Sequence, residues 1–382
     1  MRRRWWLFRF FDLIIKFWPI FRPKRGVVVI RMDGIGDMVL FRNALDQYAQ
    51  LFSIERGDIT VLGCESWRTI STKIFPEYKC FFIDEHAFAR NVLYRFWMGI
   101  KVKKLSPKIT ICDSYFRRAL MSDSLLWMID APRSISSIPF INEKTRPEFN
   151  YYLSQNSQLI DTGPYPTHEV LRHYNFISQV SGKVFRPTIP KIKWIKKSHP
   201  IVATKALKPQ YIVLNPGSNE YGRRWPLDFY LDVANKFISK DYTVVIVGGK
   251  DELVDDLKTS LKPDSPIINV VGLTSIPELM DILNMASCVI SNDTGPAHLS
   301  IALSVPTVVI IGGGHFGSFV PYPDEICPPF VKFLFDKMAC YHCFWLCDKR
   351  QNKFNSFPCV SSVSVASVID AAESLLKRED LG

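Results

Sequence analysis

A chain of 382 residues that is 47% hydrophobic is too long for one small domain and too apolar for a disordered segment. Two domains of moderate size, each with a full core, are the natural expectation. The net charge of +11 points to an anionic partner or surface, and nine cysteines, an odd count with no export signal, fit a reducing cytoplasm rather than a disulfide scaffold.

Most of the charge is gathered at the start. Residues 1–26 carry Arg2, Arg3, Arg4, Arg9, Lys16, Arg22, Lys24 and Arg25 against Asp12 alone, a net +7. The segment is not a signal peptide, because charges interrupt its apolar run and no small-residue cleavage site follows. It also falls short of the ~20 predominantly apolar residues of a spanning helix. Arg9, Asp12 and Lys16 share one helix face, and Trp, Phe, Leu and Ile cover the others. The pattern predicts an amphipathic helix in a membrane interface, with its arginines on anionic headgroups. The alternative is a terminal helix packed on the protein itself.

From Val27 the chain alternates strand-like runs with helical patterns. "VVVIR" (27–31) leads into a glycine turn and a helix, and "DITVLG" (58–63), "KCFFID" (79–84) and "ITICD" (109–113) follow. Such alternation predicts a parallel sheet covered on both faces. Cys64, Cys80, Cys112 and Cys288 fall in or beside such runs and read as ordinary buried thiols. Residues 141–200 read as an irregular, proline-bearing excursion. A second series begins at "YIVLNPG" (211–217) and continues through "TVVIVGG" (243–249), "INVVG" (268–272), "CVISND" (288–293) and "PTVVIIGGG" (306–314). A last helix is expected over 363–377. The expected divisions are 1–26, a basic aromatic helix; 27–190, an N-terminal Rossmann-like acceptor domain; 191–362, a C-terminal Rossmann-like nucleotide-sugar domain; and 363–382, a helix and tail. Ligands of two such sheets bind beyond the C-terminal strand ends.

The polar motifs sit at those ends. In "MDGIGDMV" the third glycine of a dinucleotide fingerprint is missing, and Asp37 follows Gly36 at the mouth of the turn. A fixed carboxylate there repels a pyrophosphate, so the loop is suited to presenting an acid. In "SNDTGPAHLSIAL" (291–303) Asp293, Thr294 and Gly295 precede a helix whose first N–H groups make an anion site; His298 follows. Asp293 as a simple N-cap and His298 as a packed histidine are the plainer readings. In "NPGSNEYGRRWP" (215–226) Pro216 and Gly217 turn the chain, Ser218 can donate to a phosphate, and Arg223 and Arg224 suit a diphosphate. Asp251 and Glu252, in "GGKDE", are candidates for ribose hydroxyls.

In combination these motifs resemble the lipopolysaccharide heptosyltransferases, glycosyltransferase family 9. R-x-D-x-I-G-D, P-G-x…R-W-P, G-G-x-D and S-N-D-T-G-P-x-H occur in that family's order, from about residue 27 to the end. The resemblance implies a GT-B architecture, two Rossmann-like doubly wound domains facing a cleft. It implies an inverting transfer of a sugar, typically heptose, from ADP-heptose to an anionic lipid A–core acceptor at the cytoplasmic face of the inner membrane, by a peripherally bound enzyme with no nucleic acid partner. It implies Asp37 as the base that takes the acceptor proton, with Arg223, Thr294 and Gly295 stabilising the leaving diphosphate. Many relatives carry Lys at Arg223 and His at Asn215. No D-x-D occurs in the chain, which fits catalysis without a metal cofactor.

Acceptor contacts are assigned to Arg117, Arg118 and Arg133 in the first half; a solvated helix face competes for one of the adjacent pair. Cys340, Cys343, Cys347 and Cys359 form a C-x2-C-x3-C-x11-C array, for which a structural zinc is one reading, an iron–sulfur cluster a second and plain packing a third. Competing functions are a transferase of the same family using another nucleotide sugar, an NAD(P)-dependent oxidoreductase and an inactive membrane scaffold.

Overall fold

The computed structural model describes residues 5–195, 210–249 and 265–379. The chain divides into two compact units, Met1–Thr188 and Ile189–Gly382. Each is built on one six-stranded sheet in which every neighbouring pair is parallel.

In the first unit β1 (Val27–Arg31), β2 (Ile59–Cys64), β3 (Lys79–Ile83), β4 (Ile109–Cys112), β5 (Arg133–Ser137) and β6 (Gln158–Ile160) lie in the order β3-β2-β1-β4-β5-β6. In the second, β7 (Tyr211–Asn215), β8 (Thr243–Ile246), β9 (Ile268–Asn269), β10 (Cys288–Asn292), β11 (Thr307–Ile310) and β12 (Val331–Leu334) lie in the order β12-β11-β10-β7-β8-β9. The winding reverses once in each sheet, between β1 and β4 and between β7 and β10. At such a reversal the loops leaving the two strands diverge and open a crevice at the C-terminal strand ends. The central strands β1, β7 and β10 are buried at every position, which accounts for their continuous apolar character.

The excursion expected over 141–200 is more regular than its sequence suggests. It holds the helix Arg146–Leu153, the edge strand β6 and the helix Glu169–Ser181. The last of these packs on the helix Ile35–Leu51 and brings Glu169 and His173 to the first unit's site. Asp251 and Glu252 lie outside the described residues.

The N-terminal segment forms a helix, Trp5–Lys16, but the face containing Asp12 does not meet water. Phe8, Asp12 and Ile15 are buried against the protein, and the helix lies along Val92–Lys103. Arg95 of that second helix holds Asp12 through Nε–Oδ1 at 2.8 Å and Nη2–Oδ2 at 2.6 Å. Its remaining hydrogens go to the Leu120 carbonyl and the Ser124 hydroxyl, both at 2.8 Å. Burial raises the Asp12 carboxyl, and Arg95 and Tyr152 offset only part of the rise. Phe10, Leu13, Ile14, Phe17 and Trp18 remain exposed.

Removing one member of a fully buried ion pair strands the other, at a cost of about 3–5 kcal/mol. Asp12→Ala is therefore expected to lower the unfolding free energy by about that amount. Urea denaturation checks it; a loss under about 1 kcal/mol would show that the helix is not bolted to the protein by this pair.

Candidate active site

Two constellations form, one at each strand-order reversal. In the first unit Arg31, the last residue of β1, is almost fully buried and lies among carboxylates. It reaches Asp113 at 2.8 Å and Asp33 at 2.9 Å. Asp113, just past β4, also accepts from the Tyr48 hydroxyl at 2.8 Å and lies 2.9 Å from His173 Nδ1. Burial alone would raise the Asp113 carboxyl, but His173 and Arg31 hold it well below the usual carboxylate range. It stays ionised and can only accept, so His173 Nδ1 carries the proton. Ser114 donates to Asp33 at 2.9 Å.

Asp37 lies in the first turn of the helix Ile35–Leu51, whose N-cap is Gly34. The residue keeps some accessible surface, yet its carboxyl is crowded by protein. That burial, with the like charges of Asp33 and Glu169, pushes it up to about 7; Arg31 and the Gly34 N–H pull the other way. Glu169 is raised as well, again chiefly by burial, and its Oε2 has no partner among the described residues. The first unit thus holds carboxyls pushed apart by their surroundings, Asp113 downward and Asp37 upward. Such splitting is how acid and base roles are assigned at neutral pH.

Of the assigned acceptor arginines, only Arg118 is exposed near this end of the sheet. Arg117 is buried in a two-point pair with Asp123, at 2.9 Å for both contacts, and its other hydrogens go to Ser114 and Ser137. That guanidinium is fully committed, so the acceptor role does not fit it. Arg133 opens β5 and reaches Gln158; it stands at the N-terminal strand end, away from Asp37. Tyr115, Phe116, Phe140 and Tyr165 instead pack edge-on and tilted past the end of β4. Arg172 stacks 3.5 Å over Tyr115.

In the second unit Arg223 Nη2 lies 2.5 Å from the Asp293 carbonyl and 3.1 Å from its carboxylate. The guanidinium sits 4.7 Å over the Trp345 ring. Burial would raise Asp293, but His298 and Arg223 bring it below the ordinary value. Asp293 is not the cap of the following helix Gly295–Ala302. Thr294 is the N-cap residue and makes no side-chain cap bond; its hydroxyl instead takes a 2.9 Å bond from Asn215. Pro296 has no N–H and the Ala297 N–H bonds the Thr294 carbonyl at 3.1 Å, so of the donors opening that helix the Gly295 N–H is the one left for an anion. His298 is buried, stacked on Tyr322 and 3.0 Å from its hydroxyl, which is the packed-histidine reading.

The adjacent arginines part company. Arg224 turns to the Ser218 carbonyl at 3.0 Å and the face of Tyr221, away from Asp293. Ser218 is buried, and its hydroxyl has no partner among the described residues. Asn292, absent from the assigned set, ties the site together. Its side chain accepts from the Trp225 N–H at 3.0 Å and the Tyr230 hydroxyl at 3.1 Å, and donates to the Pro216 carbonyl at 2.8 Å.

The cysteine-rich segment closes over Gly312–Gly314. A Cβ on Gly313 would come within 2.3 Å of Tyr341, and one on Gly314 within 2.1 Å of Trp345. His342, Phe344 and Trp345 all have positive φ. Cys340, Cys343, Cys347 and Cys359 line one small cavity with Tyr341, Trp345 and Phe357. Among the described residues no group of three or more His, Cys, Asp or Glu is placed to hold a metal, so the structural zinc reading is not supported. Burial raises Cys343 and Cys359, and the Cys359 sulfur takes the Gly313 N–H at 3.3 Å.

Arg31, Asp33, Tyr48, Asp113, Glu169 and His173 were not in the assigned set. The signal for three of them was present, since Arg31, Asp33 and Asp113 are charges closing β-branched runs. Tyr48, Glu169 and His173 sit on helices and carried no comparable mark.

The sequence model described as "Glycosyltransferase family 9 (heptosyltransferase)" matches residues 119–327. Lipooligosaccharide heptosyltransferase 2 of Campylobacter jejuni subsp. jejuni serotype O:2 is 25% identical over 320 residues, 82% of this chain and 88% of that protein. The glycosyl transferase family 9 structure from Veillonella parvula DSM 2008 superposes with a TM-score of 0.73 at 17% identity, over 94% of this chain and 100% of that one. For E. coli ADP-heptose LPS heptosyltransferase II the TM-score is 0.68 at 15% identity, over 93% and 99%. The two parallel six-stranded sheets match these heptosyltransferase structures, a GT-B architecture.

Asn292→Ala would leave the Trp225 N–H without its acceptor and free the 216–217 turn. The expected loss is about 2–3 kcal/mol in urea denaturation; a change under about 0.5 kcal/mol would show that the turn is held by other contacts.

Proposed function

The chain belongs to glycosyltransferase family 9, the heptosyltransferase family, and on that premise we propose that it moves a heptose from ADP-heptose to the core of an anionic lipopolysaccharide or lipooligosaccharide, with inversion. The observation that carries the reading is Asp37, a carboxylate presented on a strand–helix turn and raised to about 7. An ordinary carboxylate is a weak base at neutral pH; one near 7 is matched to taking a proton there.

The proposed step is a single displacement. An acceptor hydroxyl oxygen attacks the anomeric carbon and forms the new C–O bond. Its proton passes to Asp37, and the bond to the diphosphate breaks with its electron pair on the leaving ADP. The sugar passes through an oxocarbenium-like state, which a nearby carboxylate also stabilises. Charge grows on the diphosphate, where Arg223 and the Gly295 N–H at the start of Gly295–Ala302 meet it. Asp293 positions Arg223 through the 3.1 Å contact. The Ser218 hydroxyl and the Gly217 backbone are assigned to the donor phosphates. Cationic side chains and a helix end supply the positive charge, so the reaction is proposed to need no metal. With that donor and acceptor, the proposed place of work is the cytoplasmic face of the inner membrane, as a peripheral enzyme. Among the described residues no helix is long and apolar enough to cross a membrane.

Asp37→Asn is expected to lower kcat by about 100-fold to 10,000-fold while the variant stays folded. Transfer at near wild-type rate would sink the base assignment. The base works only when ionised, so kcat/KM should fall as pH drops through about 7. A plateau persisting to about pH 5 would point to an unperturbed carboxylate.

Arg223→Ala should weaken ADP binding about 10- to 100-fold by calorimetry. Among ADP, UDP, GDP, CDP and NADH at matched concentration, ADP should stabilise the protein most against heat. Preference for UDP or GDP would keep the transferase and change the donor; a response to NADH alone would overturn the reading.

A further inference from the structure

The helix Trp5–Lys16 is fixed to the protein by its Asp12 face and leaves an apolar face outward. Phe10, Leu13, Ile14, Phe17 and Trp18 are exposed, Phe17 at 74%. The neighbouring helix Val92–Lys103 continues that face, with Leu93 71% and Trp97 63% exposed. Leu93 and Trp97 are four apart and share one side of their helix. Phe96 joins the two helices, packing edge-on to Phe11, Trp18 and Trp97. Large apolar side chains standing in water singly are ordinary, but a contiguous two-helix face of this kind marks an interaction site.

The surroundings are basic. Arg22, Lys24, Arg25, Lys101 and Lys104 are exposed. Two acids stand among them: Asp130 lies 3.5 Å from Lys16 and 3.8 Å from Lys103, and exposed Asp58 lies against Gly26, next to Arg25. The two helices run in the same direction, since Asp12 meets Arg95 and the Lys16 carbonyl meets the Lys103 ammonium. The crossover carrying Val92–Lys103 starts at the C-terminal end of β3, so the face begins at the sheet end that holds Asp37.

We infer that this two-helix face is the surface by which the protein lies on an anionic phospholipid bilayer, with its aromatic side chains at acyl-chain depth and the basic residues on the headgroups. The inference rests on the reading of the acceptor as a glycolipid and says which face of the protein meets that acceptor's membrane. Charge favours a bilayer over a second copy of the chain. A symmetric dimer through this face would set one basic rim against another, whereas anionic headgroups neutralise it.

The test is flotation of the full-length protein with vesicles of phosphatidylethanolamine and phosphatidylglycerol that contain no glycolipid. Wild type should float, and binding should weaken as salt is raised. Phe17→Ser/Leu93→Ser/Trp97→Ser should lower the partition coefficient at least about tenfold, with thermal stabilisation by ADP unchanged. Leu273→Ser, an exposed apolar residue of the second unit, should bind as wild type does. Lys101→Glu/Lys104→Glu tests the same surface without touching an apolar contact, and should weaken binding to anionic but not to phosphatidylcholine vesicles.

Equal flotation of the triple variant and wild type would overturn the surface. So would a wild-type dimer that the triple variant dissolves while neither protein floats. Vesicle binding without a response to any nucleoside diphosphate would strike the transfer reading and leave the surface standing; a response to one of them without vesicle binding would do the reverse.

Discussion

A guanidinium taken out of water must find its counter-charge and its acceptors inside the protein, and much of this chain is arranged around that demand. Arg31 draws Asp33 and Asp113 to the β1–β4 crevice. Arg95 fastens the N-terminal helix through Asp12, and Arg117 closes the turn after β4 on Asp123. Arg223, less deeply set, holds Asp293 at the β7–β10 crevice. For the three buried guanidiniums, Arg31, Arg95 and Arg117, the cost of stranding one partner exceeds what any single apolar contact contributes. The pairs therefore fix geometry more than they add stability. The two at the crevices place charge beside the groups assigned to the chemistry.

The framework was legible where burial acts on both faces of a strand. "VVVIR" and "CVISND" are strands because each side chain meets a helix layer, and their polar last residues mark the crevice. β5 and β6 were missed for the opposite reason. "RSISS" is rich in serine, and its buried hydroxyls are used as partners: Ser137 serves Arg117, and Ser134 serves Ser157. A strand whose polar atoms are satisfied by the tertiary structure carries no local hydrophobic period. The helix Glu169–Ser181 lay in a stretch whose prolines suggested irregularity, yet they flank it, Pro164 and Pro166 before and Pro187 and Pro190 after, and leave its interior regular.

The site was half legible for a related reason. Asp37 and Arg223 are marked by position, on turns that follow buried strands. Whether a charge faces the ligand or the core is decided elsewhere in the chain. Arg117 and Arg118 are neighbours in sequence, but Asp123 and Ser137 claim one and leave the other in water. Asp12 looked like part of a wet face until Arg95, far along the chain, claimed it. The cysteine array shows the same limit. Its spacing suggested a metal, while the backbone spends its left-handed residues at His342, Phe344 and Trp345 to lay an aromatic cover on Gly312–Gly314. Positive φ on such side chains is costly, and here it coincides with the ring beneath Arg223.

The anchoring of the first helix has a consequence for synthesis. Asp12 is made long before the groups that receive it, since Arg95 follows by 83 residues and Tyr152 by 140. At ordinary elongation rates the unpartnered aromatic segment trails from the ribosome for about ten seconds before Arg95 is even made. During that interval both its faces are open, the one destined for the core as well as the outer one. Speed of translation through the first unit, and what the nascent helix touches meanwhile, will therefore bear on how much of this protein reaches its folded state.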